Sequence, residues 1–218
     1  HVLRDAALGV GLPEGATAVD IPRVLIKAEA EVLLAARKSG NLVAELSLNF
    51  GLSTLDVELQ EEGVQIPSLE HLLLWKDVET AEDDENGCFR LHQDSTLDRL
   101  SVFSESTGRS VSLFPTQFRG PPTALIAGFP MHRFGKGVDP REDTLKKMRA
   151  IGRMRAGQRV LDICTGLGYT AISATEDGPE VTTIELDESM QQMCRLNPWS
   201  QGLYNRRVNQ LIGNAFDL

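Results

Sequence analysis

Arg159-Val160-Leu161-Asp162-Ile163-Cys164-Thr165-Gly166-Leu167-Gly168-Tyr169-Thr170-Ala171 is the stretch that decides how this chain is read. Its first six residues form a short apolar run of the kind that makes a buried parallel strand. They lead straight into two glycines and a helical start, so the implied order is strand, glycine turn, helix. Glycine suits a turn at which a ligand approaches the backbone more closely than a Cβ allows, and the free N–H groups of a helix start favour a carboxylate or phosphate. Gly166-x-Gly168 with Ala171 also satisfies the dinucleotide fingerprint of nicotinamide and flavin enzymes, so neighbouring segments must separate the readings.

Downstream, Pro179-Glu180 leads into a second β-branched run, Val181-Thr182-Thr183-Ile184, which ends at Glu185, seventeen positions beyond Gly168. A carboxylate there can accept hydrogen bonds from both ribose hydroxyls of an adenosine cofactor. Gln210-Leu211-Ile212 reads as a third strand, and in Gly213-Asn214-Ala215 the side-chain amide can pair with the polar edge of an adenine. Asp162 adds a polar group at the mouth of the first strand that the nicotinamide fingerprint does not require. The chain reads as stopping after the third strand of a larger sheet. Pro198 is read as ending the helix that starts near Glu188, with Trp199 packing beside it, and Cys164 as a small buried apolar residue rather than a nucleophile.

Upstream, residues 20–40 read as one helix, with Pro22 early, an apolar stripe of Leu25, Ala28, Val32 and Ala36, and Arg37-Lys38 before Gly40. Strands are expected over 42–48, 55–59 and 64–66, with Glu62-Gly63 as a turn. Ser68 is read as capping a short helix over 69–75, and the acidic run from Glu79 to Glu85 as a solvated loop outside the fold. Further strands are expected at 88–91, 100–103, 110–114 and 123–127, with a hairpin around Thr107-Gly108. Gly128, Pro130, Gly135, Gly137 and Pro140 mark a boundary. Beyond it, Asp139-Pro140-Arg141-Glu142 announces a helix to about Ile151, with Leu145, Met148 and Ile151 on its buried face. The expected division is a helical segment over 1–40, a β-rich domain over 41–130 and a cofactor-binding half-domain over 131–218.

Composition narrows the function classes. The chain of 218 residues is 41% hydrophobic and 24% charged, with a formal net charge of −9. That balance suits a folded domain and gives no strong nucleic-acid signal. Cys88, Cys164 and Cys194 form neither a disulfide framework nor a metal-ligand spacing, which points to a reducing compartment, cytoplasm or organelle matrix, and to no metal site. No apolar run approaches the roughly 20 residues of a membrane span.

Taken together, these motifs resemble class I S-adenosylmethionine-dependent methyltransferases, and within them an archaeal-type predicted methyltransferase of the spermidine-synthase-like group. The resemblance rests on Met131-His132-Arg133, Gly137-Val138-Asp139-Pro140 with Asp143-Thr144, the stretch from Asp162 to Thr170, Glu185-Leu186-Asp187, and Leu196-Asn197-Pro198-Trp199-Ser200. It covers at least 131–218. It implies an α/β fold: a Rossmann-like methyltransferase domain cut after its third strand, preceded by a mostly β N-terminal domain with a leading helix. It implies S-adenosylmethionine as cofactor, with Asp162, Gly166 and Gly168 around its methionine portion, Thr165 beside them, Glu185 on the ribose and Asn214 at the adenine, where the family pattern has aspartate. The catalytic residues and the methyl acceptor are not identified by these motifs. Two alternatives stand beside methyl transfer: a non-enzymatic docking subunit whose partner covers the incomplete sheet, and aminopropyl transfer, which Thr165-Gly166-Leu167-Gly168 fits less well than the acid-containing loop of spermidine synthases.

Overall fold

The computed structural model describes residues 21–67 and 69–217. Residues 1–20, including Asp20 at the expected helix start, and Ser68, the expected cap, lie outside the described residues. In chain order the elements are β1 (Val24–Ile26), α1 (Lys27–Lys38), β2 (Val43–Leu46), β3 (Leu55–Leu59), β4 (Gly63–Gln65), β5 (Leu73–Leu74), α2 (Trp75–Asp83), β6 (Cys88–Leu91) and β7 (Leu97–Arg99). Then follow β8 (Ser101–Ser104), β9 (Arg109–Phe114), β10 (Thr123–Ile126), β11 (Phe129–Pro130), α3 (Pro140–Ile151), β12 (Arg159–Asp162), α4 (Tyr169–Ala174), β13 (Glu180–Glu185), α5 (Glu188–Leu196) and β14 (Val208–Ile212). Among the described residues the architecture is mixed α/β with four small sheets. Three are antiparallel, while β12-β13-β14 is parallel, with Asp162 opposite Thr183 and Glu185 opposite Ile212.

Two buried clusters hold these sheets. One joins Leu25, Leu33, Leu46, Val57, Val64 and Val78. The other joins Val24, Ile26, Val111 and Leu113 to Leu167, Ile172, Val181, Met193 and Trp199, and so runs from the antiparallel sheet into the parallel one. Strand alternation explains how β1 serves both, since Val24 and Ile26 point to one side and Leu25 to the other. Helix α5 buries Met190, Met193 and Cys194 and packs against β8 and β9. Its spacing of three and four residues places those side chains on one face. Polar ties reinforce the junction: Trp199 Nε1 donates to Phe50 O (3.2 Å) and Tyr169 Oη to Pro122 O (2.8 Å).

Several expectations are corrected. The first helix begins at Lys27, because Val24-Leu25-Ile26 pairs with β6 as a strand buried on both faces. Its buried residues are Glu29, Ala30 and Leu33, so the stripe is rotated from the expected one. No helix spans 69–75; the chain bends into β5 there, and helix α2 starts at Trp75 and runs through part of the acidic run. That run is inside the fold, because Trp75, Val78 and Ala81 recur every three residues and are buried while the acids point outward. Arg37 pairs with Glu79 and Lys27 with Glu82, fastening α2 to α1. Helix α3 has its predicted limits and cap, with Glu142 N–H donating to Asp139 Oδ1 (2.7 Å). Its buried residues are Pro140, Asp143 and Thr144, and Ile151 is 60% exposed instead of buried. Cys164 is exposed rather than buried, since it lies beyond the last paired residue of β12. Among the described residues no helix is long and apolar enough to cross a membrane.

Candidate functional site

The carboxyl ends of the three parallel strands carry most of the side chains singled out from sequence. Asp162 ends β12, Glu185 ends β13, and Asn214 lies two positions past β14. The turn after β12 enters α4 through Gly166 (φ +53°) and Gly168 (φ +77°), left-handed conformations that disfavour any side chain. Thr165 N–H donates to Ile184 O (3.1 Å), which keeps the turn against β13.

Hydrogen bonds connect five of the six predicted residues in two short chains, Gly168 joining through its N–H, which donates to Thr165 O (2.7 Å). Thr183 Oγ1 donates to Asp162 Oδ2 (2.9 Å) and lies 2.6 Å from Thr165 Oγ1. Glu185 Oε2 accepts from Gly166 N–H (2.9 Å), while its Oε1 accepts from Leu186 N–H (2.9 Å) and Asp187 N–H (3.1 Å). The acid is therefore clamped between the glycine turn and the start of α5. Asp162 is held above the usual aspartate range, first by burial and further by the Glu185 charge, against the lowering effect of the Thr183 hydroxyl. Burial, then the charges of Glu185 and Asp162, also raise the Cys164 thiol, so this exposed cysteine is poorly suited to act as a nucleophile.

The glycines meet the protein's own side chains. A Cβ on Gly168 would lie 2.4–2.6 Å from Cδ1, Cγ and Cδ2 of Leu203, and one on Gly166 would lie 2.4 Å from Met131 Cε. Packing against the buried Leu203 thus requires Gly168, a reason different from ligand approach alone, whereas at Gly166 the clash is with the movable end of a half-buried Met131 and the left-handed φ is the stronger constraint. Gly168 faces this packing rather than Glu185, and Asn214 stands apart from the clamp: it is exposed, and its Oδ1 accepts from Phe216 N–H (3.1 Å). Two surface clefts, between α3 and α4 and between α1 and residues 115–118, do not border the glycine turn.

Sequence reading singles out residues 131–133 and 196–200 but not the contacts they make around this site. His132 stacks on Tyr169 with ring centroids 5.1 Å apart, and its Nδ1 lies 3.0 Å from Thr123 Oγ1. Burial, then the charge of Lys147, lowers His132 to about 4, with Asp143 pulling the other way. Cys194 Sγ donates to Gly166 O (3.0 Å) and Ser200 Oγ to Leu167 O (2.7 Å), so carbonyls of the turn are satisfied from α5 and the segment that follows it. Only contacts across 28 and 33 positions reveal these roles; no local pattern carries them.

No protein-family model matches the chain. Uncharacterized protein MJ1233 of Methanocaldococcus jannaschii is 44% identical over 98 residues, 45% of this chain and 33% of that protein. The chain thus spans about a third of the length of the curated relative it matches. Among solved structures, Trm5b from Pyrococcus abyssi aligns with a TM-score of 0.34 at 12% identity, covering 74% of this chain and 36% of its own. A SAM-dependent methyltransferase candidate from Streptococcus mutans aligns with a TM-score of 0.31 at 10% identity, covering 94% of this chain and 49% of its own. Both likenesses are distant, and at such scores neither assigns an activity.

Proposed function

We propose that residues 131–218 form the first half of a Rossmann-like domain that binds S-adenosylmethionine, within a protein that transfers its methyl group to an acceptor. The observation that carries this reading is the placement of Asp162 and Glu185 at the carboxyl ends of adjacent parallel strands, with the Gly166 N–H on the second carboxylate. Two carboxyl groups, one raised partly by the charge of the other, make the strand ends electron-rich and suited to a cationic ligand. Glu185 already accepts three backbone N–H groups. A carboxylate has roughly four lone-pair sites, so capacity remains for a hydroxyl donor such as a ribose.

In this reading Glu185 orients the ribose, Asp162 and Thr165 line the methionine side, and Gly166 supplies the tight turn between them. Gly168 shapes the turn through its packing against Leu203, and Asn214 lies at the adenine end. Bound S-adenosylmethionine supplies an already activated methyl group on a sulfonium. The chain's part is alignment and exclusion of water, for which a rigid clamp is suited. The β-rich region over 41–130 buttresses this half-domain.

A second reading is favoured by one observation. Leu161, on β12, and Ile163, just past it, are 54% and 59% exposed, and β12 pairs on one side only among the described residues. An apolar surface on an open parallel edge calls for cover, so the fold can serve as a docking subunit whose partner lies there. Calorimetry of the full-length protein with S-adenosylmethionine separates the two. Saturable binding by wild type, lost in Glu185→Ala, supports the cofactor reading; absence of heat with wild type, or equal affinity in the variant, counts against it.

A further inference from the structure

We propose that the turn of the β8–β9 hairpin is a positioning device for the cofactor acid, in which Ser104 and Thr107 fix Asp187 and, through it, Glu185; this inference rests on the cofactor reading above. Ser104 Oγ donates to Asp187 Oδ1 (2.8 Å) and Thr107 Oγ1 donates to Asp187 Oδ2 (3.0 Å). These contacts join residues 83 and 80 positions apart, one side belonging to the antiparallel sheet and the other to the segment between β13 and α5. Ser104 is 3% exposed, so its hydroxyl is held within the protein: it donates to Asp187, accepts from Thr107 N–H (3.2 Å) and lies 3.1 Å from Ser106 Oγ.

Asp187 already has a local task. Its Oδ1 accepts from Ser189 N–H (2.9 Å) and Ser189 Oγ (2.7 Å), the usual arrangement of an aspartate at the start of a helix. Capping needs nothing from another sheet, and α5 is seated on β8 and β9 by its apolar face without the hydroxyls. The two added donors fix the carboxylate in place, and the next bond transmits that fixation: Asp187 N–H donates to Glu185 Oε1. Glu185 Oε2 then holds the Gly166 N–H. A continuous path therefore runs from the hairpin turn through Asp187 and Glu185 to the glycine turn. Burial acts to raise the Asp187 carboxyl, but the bonds from Ser189, Ser104 and Thr107 together outweigh it and hold the group below the usual aspartate range. The hydroxyls consequently meet a full negative charge at neutral pH, where such bonds are strongest.

The test uses full-length protein and titration with S-adenosylhomocysteine. Removing both hydroxyls in Ser104→Ala/Thr107→Val should weaken binding about tenfold, the factor that one hydrogen bond to a charged group carries. The conservative pair Ser104→Thr/Thr107→Ser should restore it. In a Glu185→Gln background the Ala/Val pair should cause little additional loss, because the path then ends on a group that no longer needs fixing. Thr107→Val alone, at a half-buried turn position, gives the same comparison if the double variant does not fold. Wild-type binding with unchanged affinity in Ser104→Ala/Thr107→Val overturns the positioning role and leaves the cofactor reading intact. An equal loss with and without the Glu185 carboxylate also overturns it, since a purely structural effect would behave so. Absence of binding by wild type defeats both.

Discussion

Gly168→Ala offers a direct measure of why the turn after β12 is built from glycine. The residue sits at φ +77°, and its added Cβ would fall 2.4–2.6 Å from three carbons of Leu203. Leu203 is fully buried, 0% exposed, so its side chain has no solvent into which to swing. The left-handed conformation costs an alanine about 1–2 kcal/mol, and overpacking a filled core adds about 1–3 kcal/mol. A total loss of about 2–5 kcal/mol is expected in urea unfolding. Leu203→Ala alone should cost about 2–5 kcal/mol through its cavity. The double variant should lose less than the sum by about 1–3 kcal/mol, because the overpacking term disappears when Leu203 is shortened. A Gly168→Ala protein as stable as wild type, or strict additivity in the cycle, would refute the packing argument and return the glycine to a role played only toward a ligand.

Four further outcomes follow from particular contacts. His132 is neutral in the folded protein, its value lowered from 6.5 to about 4 mainly by burial, so its contribution is present above about pH 6.5 and is lost as pH falls toward 4. Between about pH 7 and pH 5 that loss amounts to about 2 kcal/mol, and His132→Gln should show a correspondingly smaller drop in urea midpoint. Arg119→Ala strands Glu29, which is 1% exposed and otherwise keeps the Ser47 N–H; a loss of about 3–5 kcal/mol is expected by denaturation. Glu45→Ala, at the exposed end of the same cluster, should leave the midpoint nearly unchanged. Tyr169→Phe removes the donor to Pro122 O and the acceptor for Asn197 Nδ2, both buried, and should cost about 1–3 kcal/mol.

The parallel half of the fold is legible because its signals are local. The run from Arg159 to Asp162 is β-like and followed by glycines, Val181 to Ile184 is β-branched, and Asp139-Pro140 marks a helix start in four residues. Val24-Leu25-Ile26 misleads because three consecutive apolar residues fit either period, and only the presence of two separate cores makes a strand the better burial. The run through Asp83 misleads because surface charge masks an apolar face made of small and spaced residues, Val78 and Ala81. At the site, strand ends identify Asp162 and Glu185, but the partners that shape it come from far along the chain. Met131 on Gly166, Leu203 on Gly168, and Ser104 with Thr107 on Asp187 are tertiary facts, invisible to spacing.

Amide spectra of the isotopically labelled full-length protein, recorded while S-adenosylhomocysteine is added, address the central claim at the atoms that carry it. A nucleoside held between the glycine turn and the second strand should shift the signals of Gly166, Leu186 and Asp187 most, because their N–H groups all point at the Glu185 carboxylate. Saturating ligand that leaves these three unmoved, or that shifts residues lining the cleft between α3 and α4 instead, would contradict it.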